Sequence, residues 1–207
     1  MKKRIVLATR NADKVREIRA IFEGSGVGVE LLGLDGFAGV PEVDEDGETL
    51  KANAVKKSRT VGNHTGLPAL AEDTGLFVDC LDGAPGVRSS RYADTDPHRH
   101  TATYDDNCRK LLAEMRGVPL RKRTARFTCV AAFYAPRLNK AYTRSGEVEG
   151  VITEKPSGDH GFGYDPVFLY PPLQKTFAEM TAEEKNRISH RFKAMKRIAQ
   201  LMRQMGY

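Results

Sequence analysis

Apolar positions along the chain alternate between short continuous runs and helical stripes. Ile5-Val6-Leu7-Ala8 predicts a buried strand, and beyond a polar stretch Val15, Ile18, Ile21 and Phe22 recur at helical spacing up to Gly24. Val29 to Leu34 reads as a weak second strand. An acidic loop, Pro41 to Glu48, leads to Thr49, which caps a helix through Leu50, Ala54, Ser58 and Val61 to Gly62. Two apolar runs, Ala69-Leu70-Ala71 and Leu76-Phe77-Val78, then flank Glu72-Asp73-Thr74-Gly75. Tyr104, Cys108, Leu111, Leu112 and Met115 mark an amphipathic helix ending at Gly117. Phe127 to Tyr134 and Lys140 to Thr153 give longer strands, and Asp165 to Leu169 gives another, entered through Gly161-Phe162-Gly163-Tyr164. Thr181-Ala182-Glu183-Glu184 fits a capping box and opens a short helix carrying Lys185. Ser189 caps a last helix, striped by Phe192, Met195, Ile198, Ala199, Met202 and Met205. Strands alternate with helices first and longer strands follow, which predicts a mixed α/β fold with a central cleft.

Composition narrows the class. The 207 residues suffice for one large domain or two lobes, and 40% hydrophobic with 29% charged residues is ordinary for a globular protein. Net charge is +6, which favours polyanionic partners. Cys80, Cys108 and Cys129 are odd in number and form no C-x-x-C pair, so free thiols in a reducing compartment are expected. No apolar run approaches a membrane span, and the apolar segment after Met1-Lys2-Lys3-Arg4 is too short for a signal peptide. A cytoplasmic protein without a membrane partner is the expectation.

Candidate chemistry concentrates in two places. Adjacent carboxylates at the end of an apolar strand are costly, and a hard divalent cation with oxygen ligands, Mg²⁺ or Mn²⁺, would relieve them. A solvated hairpin turn at Glu72-Asp73-Thr74-Gly75 is the alternative. Thr9-Arg10-Asn11-Ala12-Asp13-Lys14 joins a strand to a helix start, where free N–H groups favour phosphate. An N-cap at Asn11 or Asp13 with a solvated Lys14 is the plainer alternative there. His190 and Arg191 fall on a helix's first turn, where cations are disfavoured without a local anion. The basic cluster Arg121, Lys122, Arg123 and Arg126 has no interleaved aromatics to stack bases, so no nucleic-acid partner is expected.

Five windows, in this order, resemble the inosine triphosphate pyrophosphatase family, also called the dITP/XTP pyrophosphatases. They are Leu7 to Lys14, Ala71-Glu72-Asp73-Thr74-Gly75-Leu76, Gly83 to Tyr92, Gly161-Phe162-Gly163-Tyr164-Asp165-Pro166, and Glu184-Lys185-Asn186-Arg187-Ile188-Ser189-His190-Arg191. Lys175 to Thr181 is similar as well, so the resemblance covers essentially the whole chain. It implies one nucleoside triphosphate pyrophosphatase domain over residues 1–207, an elongated mixed sheet with flanking helices, and two lobes around a central nucleotide-binding cleft. It also implies a homodimer, Mg²⁺, and hydrolysis of ITP, dITP and XTP to monophosphate and pyrophosphate, which clears the nucleotide pool.

By the same resemblance, Thr9, Arg10, Asn11, Ala12, Asp13 and Lys14 form the phosphate loop, and Asp73 is the general base and a metal ligand. Glu72 and either Asp44 or Glu45 complete the metal site. Thr74, Phe162, Gly163, Tyr164, Asp165, Lys185, His190 and Arg191 contact the nucleotide, with one ring stacking on the base and Arg191 or His190 donating to purine O6. The chain departs from the family at Arg10, commonly glycine, at Thr74, commonly serine, and at Ala52, where an acid often precedes Asn53. Two rivals are a relative hydrolysing modified pyrimidine or 7-methylguanine nucleotides, and a nucleic-acid-binding protein whose binding would fall steeply with salt.

Overall fold

The computed structural model describes residues 2–96 and 101–207. In chain order the elements are β1 (Lys3–Leu7), α1 (Ala12–Glu23), β2 (Val29–Leu32), α2 (Leu50–Thr65), β3 (Ala69–Val78), β4 (Pro85–Gly86) and α3 (Tyr104–Glu114). They continue with β5 (Thr124–Ala135), β6 (Lys140–Ile152), β7 (Phe168–Tyr170), β8 (Lys175–Thr176), α4 (Ala182–Ile188) and α5 (His190–Gln204). Among the described residues this is a mixed α/β fold: an open eight-stranded sheet in the order β2-β1-β3-β5-β6-β7-β8, with β4 paired to β3. β1 runs parallel to both neighbours, β4 antiparallel to β3, and β7 antiparallel to β6 and β8. No helix among the described residues is long and apolar enough to cross a membrane.

The chain forms two compact units: Met1–Asp73 with Cys129–Gly146 and Ser189–Tyr207, and Thr74–Thr128 with Glu147–Ile188. In the first unit the strand period of two sorts side chains onto two faces. Ile5, Leu7 and Leu70 pack with Ile18, Ile21 and Phe22 of α1 and Met195, Ile198 and Met202 of α5. Val6, Ala8, Ala69 and Ala71 face the other way and pack with Val61 of α2. In the second unit Leu76, Leu111, Met115, Phe127, Phe168 and Phe177 share a core, with the Phe127 and Phe168 rings 4.6 Å apart.

Three expectations change. Residues 69–78 form one unbroken strand rather than two runs around a turn, so Glu72 and Asp73 are buried in mid-strand. Helix α2 passes through Gly62 and ends at Thr65, with Gly66 in the left-handed conformation at its C-cap. Gly62 serves packing instead: a Cβ there would lie 2.5 Å from Tyr134 Cδ1. The strand expected from Asp165 begins only at Phe168, because Asp165-Pro166-Val167 is a single tight helical turn.

Candidate active site

The phosphate-loop candidate is ordered by its own polar groups. Asn11 caps α1, its Oδ1 accepting from the Asp13 and Lys14 N–H groups at 2.9 and 3.1 Å. Thr9 Oγ1 accepts from the Asn11 N–H at 3.2 Å. The capping that sequence offered as the plainer alternative is therefore present, and it holds Lys14 at the head of the helix. Arg10 is exposed and donates to the Val40 carbonyl at 2.9 Å, pinning the chain just before the acidic loop.

Because β3 alternates faces, Glu72 joins Leu70 on the α1 and α5 side while Asp73 joins Ala71 on the α2 side. Lys14 Nζ lies 2.8 Å from Glu72 Oε1, and Arg191 reaches Glu17 at 2.6 Å and Glu72 at 3.4 Å. The Cys129 thiol donates to Glu72 Oε2 at 3.4 Å. Burial would raise the Glu72 carboxyl, but Lys14 and Arg191 hold it well below the usual carboxylate range. Glu72 is thus an ionised anchor for two cations. The structure pairs Arg191 with acids and buries it, the arrangement that steadies a cation on a helix's first turn. His190 is buried beside it.

Asp73 has different company. Asn53 Nδ2 donates to its Oδ2 at 3.1 Å, and Lys57 Nζ sits 3.2 Å from its Oδ1 and 2.9 Å from Glu45 Oε1. Burial raises the Asp73 carboxyl, Lys57 opposes this, and the Glu45 charge adds to it; the result is about 7. Glu45, which burial would raise, is held low by Lys57 and Lys14. The acidic loop therefore brings Glu45 to the cluster, while Asp44 is exposed. The Asn53 side-chain Oδ1 accepts from the Gly47 N–H at 2.8 Å, tying that loop to α2.

No site role was assigned from sequence to Asn53, which figured only as the neighbour of Ala52, or to Lys57. Their signal was available: they stand four apart, in phase with Leu50, Ala54 and Val61, on the face of α2 that is buried. Polar residues on a buried helical face need partners, and an Asn–Lys pair points at a carboxylate.

As a metal site the cluster is spare. Among the described residues no group of three or more His, Cys, Asp or Glu side chains is gathered to hold an ion. Glu45 and Asp73 still share one lysine between them, and Asp73 stays raised despite it. Mg²⁺ is commonly held by one or two carboxylates with water and substrate phosphates, so this oxygen-only pair fits that ion.

The second unit holds the other expected residues. Lys185 is buried, 2.6 Å from Asp165 Oδ2, and lies 4.9 Å over the Phe162 ring. Asp165 also accepts the Phe162 N–H at 2.8 Å, which closes the loop. Gly161 and Gly163 take left-handed conformations, and a Cβ on Gly161 would strike Asp165 at 2.1 Å. Tyr164 is buried, with its hydroxyl donating to the Ser89 carbonyl at 2.9 Å. Phe162 is half-buried. Thr74 begins this unit, next to Asp73.

Residues 5–201 match the Ham1 family. The chain belongs to the Ham1 family. It is 48% identical over 192 residues to a dITP/XTP pyrophosphatase of Geobacter sulfurreducens, covering 93% of this chain and 92% of that protein. A Bacillus subtilis protein of the same name is 40% identical over 97% of both chains. Among solved structures, a HAM1 protein from Coxiella burnetii superposes with a TM-score of 0.85 at 36% identity, covering 98% of this chain and 99% of that one. The family match spans all five sequence windows that first pointed to it.

Proposed function

We propose that the chain hydrolyses deaminated purine nucleoside triphosphates, ITP, dITP and XTP, to the monophosphate and pyrophosphate. The carrying observation is the buried Asp73 in mid-strand, its two oxygens met by Asn53 and Lys57 with Glu45 on the same lysine, a carboxylate placed to serve as general base. Asn53 and Lys57 hold its two oxygens in place. Lys14, backed by Glu72, supplies positive charge for a triphosphate carrying about four negative charges. Glu45 and Asp73 would hold Mg²⁺, which when bound lowers the water's pKa and shields the phosphates. Phe162 offers its ring to the base, and Lys185 a positive charge beside it. The relatives' names favour deaminated purines over the modified pyrimidine reading.

Arg191 enters this reading as the partner of Glu17 and Glu72 rather than as the reader of purine O6. Cytoplasmic location is consistent with three unbridged cysteines, and a homodimer follows from the family resemblance. The test is product analysis on ITP with Mg²⁺. IMP and pyrophosphate are expected, with kcat lowered at least about a hundredfold in a folded Asp73→Asn variant. Orthophosphate as the product, or more than a tenth of the wild-type rate in that variant, would overturn the reading.

A further inference from the structure

Helix α3 meets the Gly161–Asp165 loop at two points. Tyr104, its first residue, lies with its ring centroid 5.8 Å from that of Phe162 at an interplanar angle of 43°. Cys108, one turn on and on the same face, donates its thiol proton to the Gly163 carbonyl at 3.3 Å. Burial pushes that thiol up to about 12, so it keeps the proton it donates. The helix is itself fixed. Thr103 and Asp106 form a capping box, and the Asn107 amide accepts the Ala93 N–H at 2.8 Å and donates to the Ser90 carbonyl at 3.2 Å.

A stacking ring is useful only if its plane is set before the base arrives. Phe162 stands between two glycines with φ of +76° and +65°, a backbone that does little to restrict its side chain. Its N–H is held by Asp165 and its ring is flanked by the Lys185 ammonium. Neither contact fixes the ring's tilt as a second ring does, since tilted and edge-on aromatic pairs prefer particular angles. Tyr104 is 40% exposed.

We propose that Tyr104 is a positioning residue for base binding: its ring holds Phe162 at the tilt that receives the purine, with Cys108 fixing the loop below. The inference rests on the purine nucleotide reading above, and it adds a residue outside the five motif windows. Fixing the ring beforehand spares the substrate that ordering cost, so the effect falls on binding of the base and leaves the phosphates untouched.

The experiment compares wild type, Tyr104→Ala and Tyr104→Phe in steady-state ITP hydrolysis, with pyrophosphate, which has no base, as an inhibitor. Tyr104→Ala is expected to raise KM for ITP roughly three- to tenfold with kcat, pyrophosphate inhibition and Tm unchanged. Tyr104→Phe keeps the ring and is expected to stay within about twofold of wild type. An unchanged KM in Tyr104→Ala, or equal losses for ITP and pyrophosphate, overturns the inference while leaving the functional reading in place. Wild-type protein that does not turn over ITP overturns the functional reading, and the base-positioning role with it.

Discussion

Glu72 and Asp73 are adjacent on one strand, yet the two faces they meet treat them in opposite ways. Glu72 faces Lys14 and Arg191, two cations for two carboxylates once Glu17, which also pairs with Arg191, is counted, and is held well below the usual range. Asp73 faces Lys57, one cation shared with Glu45, and is raised to about 7. Both are buried, so burial alone does not separate them. The ratio of cations to carboxylates on each face does. One face makes a permanent anion that anchors Lys14 at the head of α1, and the other makes a carboxylate able to take a proton.

The largest disturbance should come from Glu72. In Glu72→Gln, Lys14 and Arg191 lose a buried counter-charge, and stability should fall by about 3–5 kcal/mol at neutral pH. The Glu72 carboxyl is lower in the folded protein than its ordinary 4.5, so its contribution is present above that value and fades as pH drops through the folded pKa. Denaturant titrations at pH 7 and pH 3 should therefore differ in the size of the loss. An equal loss at both would mean Glu72 stabilises by packing alone.

A smaller effect is expected from Lys57→Met, because Asp73 can escape its lost partner by protonating. The loss should be about 3 kcal/mol at pH 8 and distinctly less at pH 5.5. The acid limb of the kcat profile should also move to higher pH, since the cation that favours ionised Asp73 is gone. A limb that stays in place, or moves down, would show that Lys57 does not set this carboxyl.

The sequence made some of this legible and hid the rest for physical reasons. The stripe of α1, its Asn11 cap, the capping box at Thr181 and the Ser189 cap are local patterns, and each formed where expected. Paired carboxylates in mid-strand resemble a turn because the cations that tolerate them come from residues distant in sequence. Lys57 is 16 residues from Asp73 and Arg191 is 119 from Glu72. Gly62 read as a helix stop because the ring of Tyr134, for which it makes room, lies far along the chain on β5. Strands β4 and β8 have two residues each, too few to show a period.

The central claim is that Asp73 is an under-neutralised carboxylate kept ready for a proton. Its folded pKa near 7 lies above its ordinary 3.8, so the native state takes up a proton between those values and loses stability as pH climbs through them. Asparagine does not titrate. Thermal unfolding of wild type and Asp73→Asn in EDTA, from pH 4.5 to 8.5, measures this directly. The variant's Tm should gain on wild type as pH rises, with the gain complete above about pH 7, and Mg²⁺ at pH 8 should raise the wild-type Tm more than the variant's. A Tm difference that stays constant across the range, or a variant that loses ground as pH rises, would contradict the account.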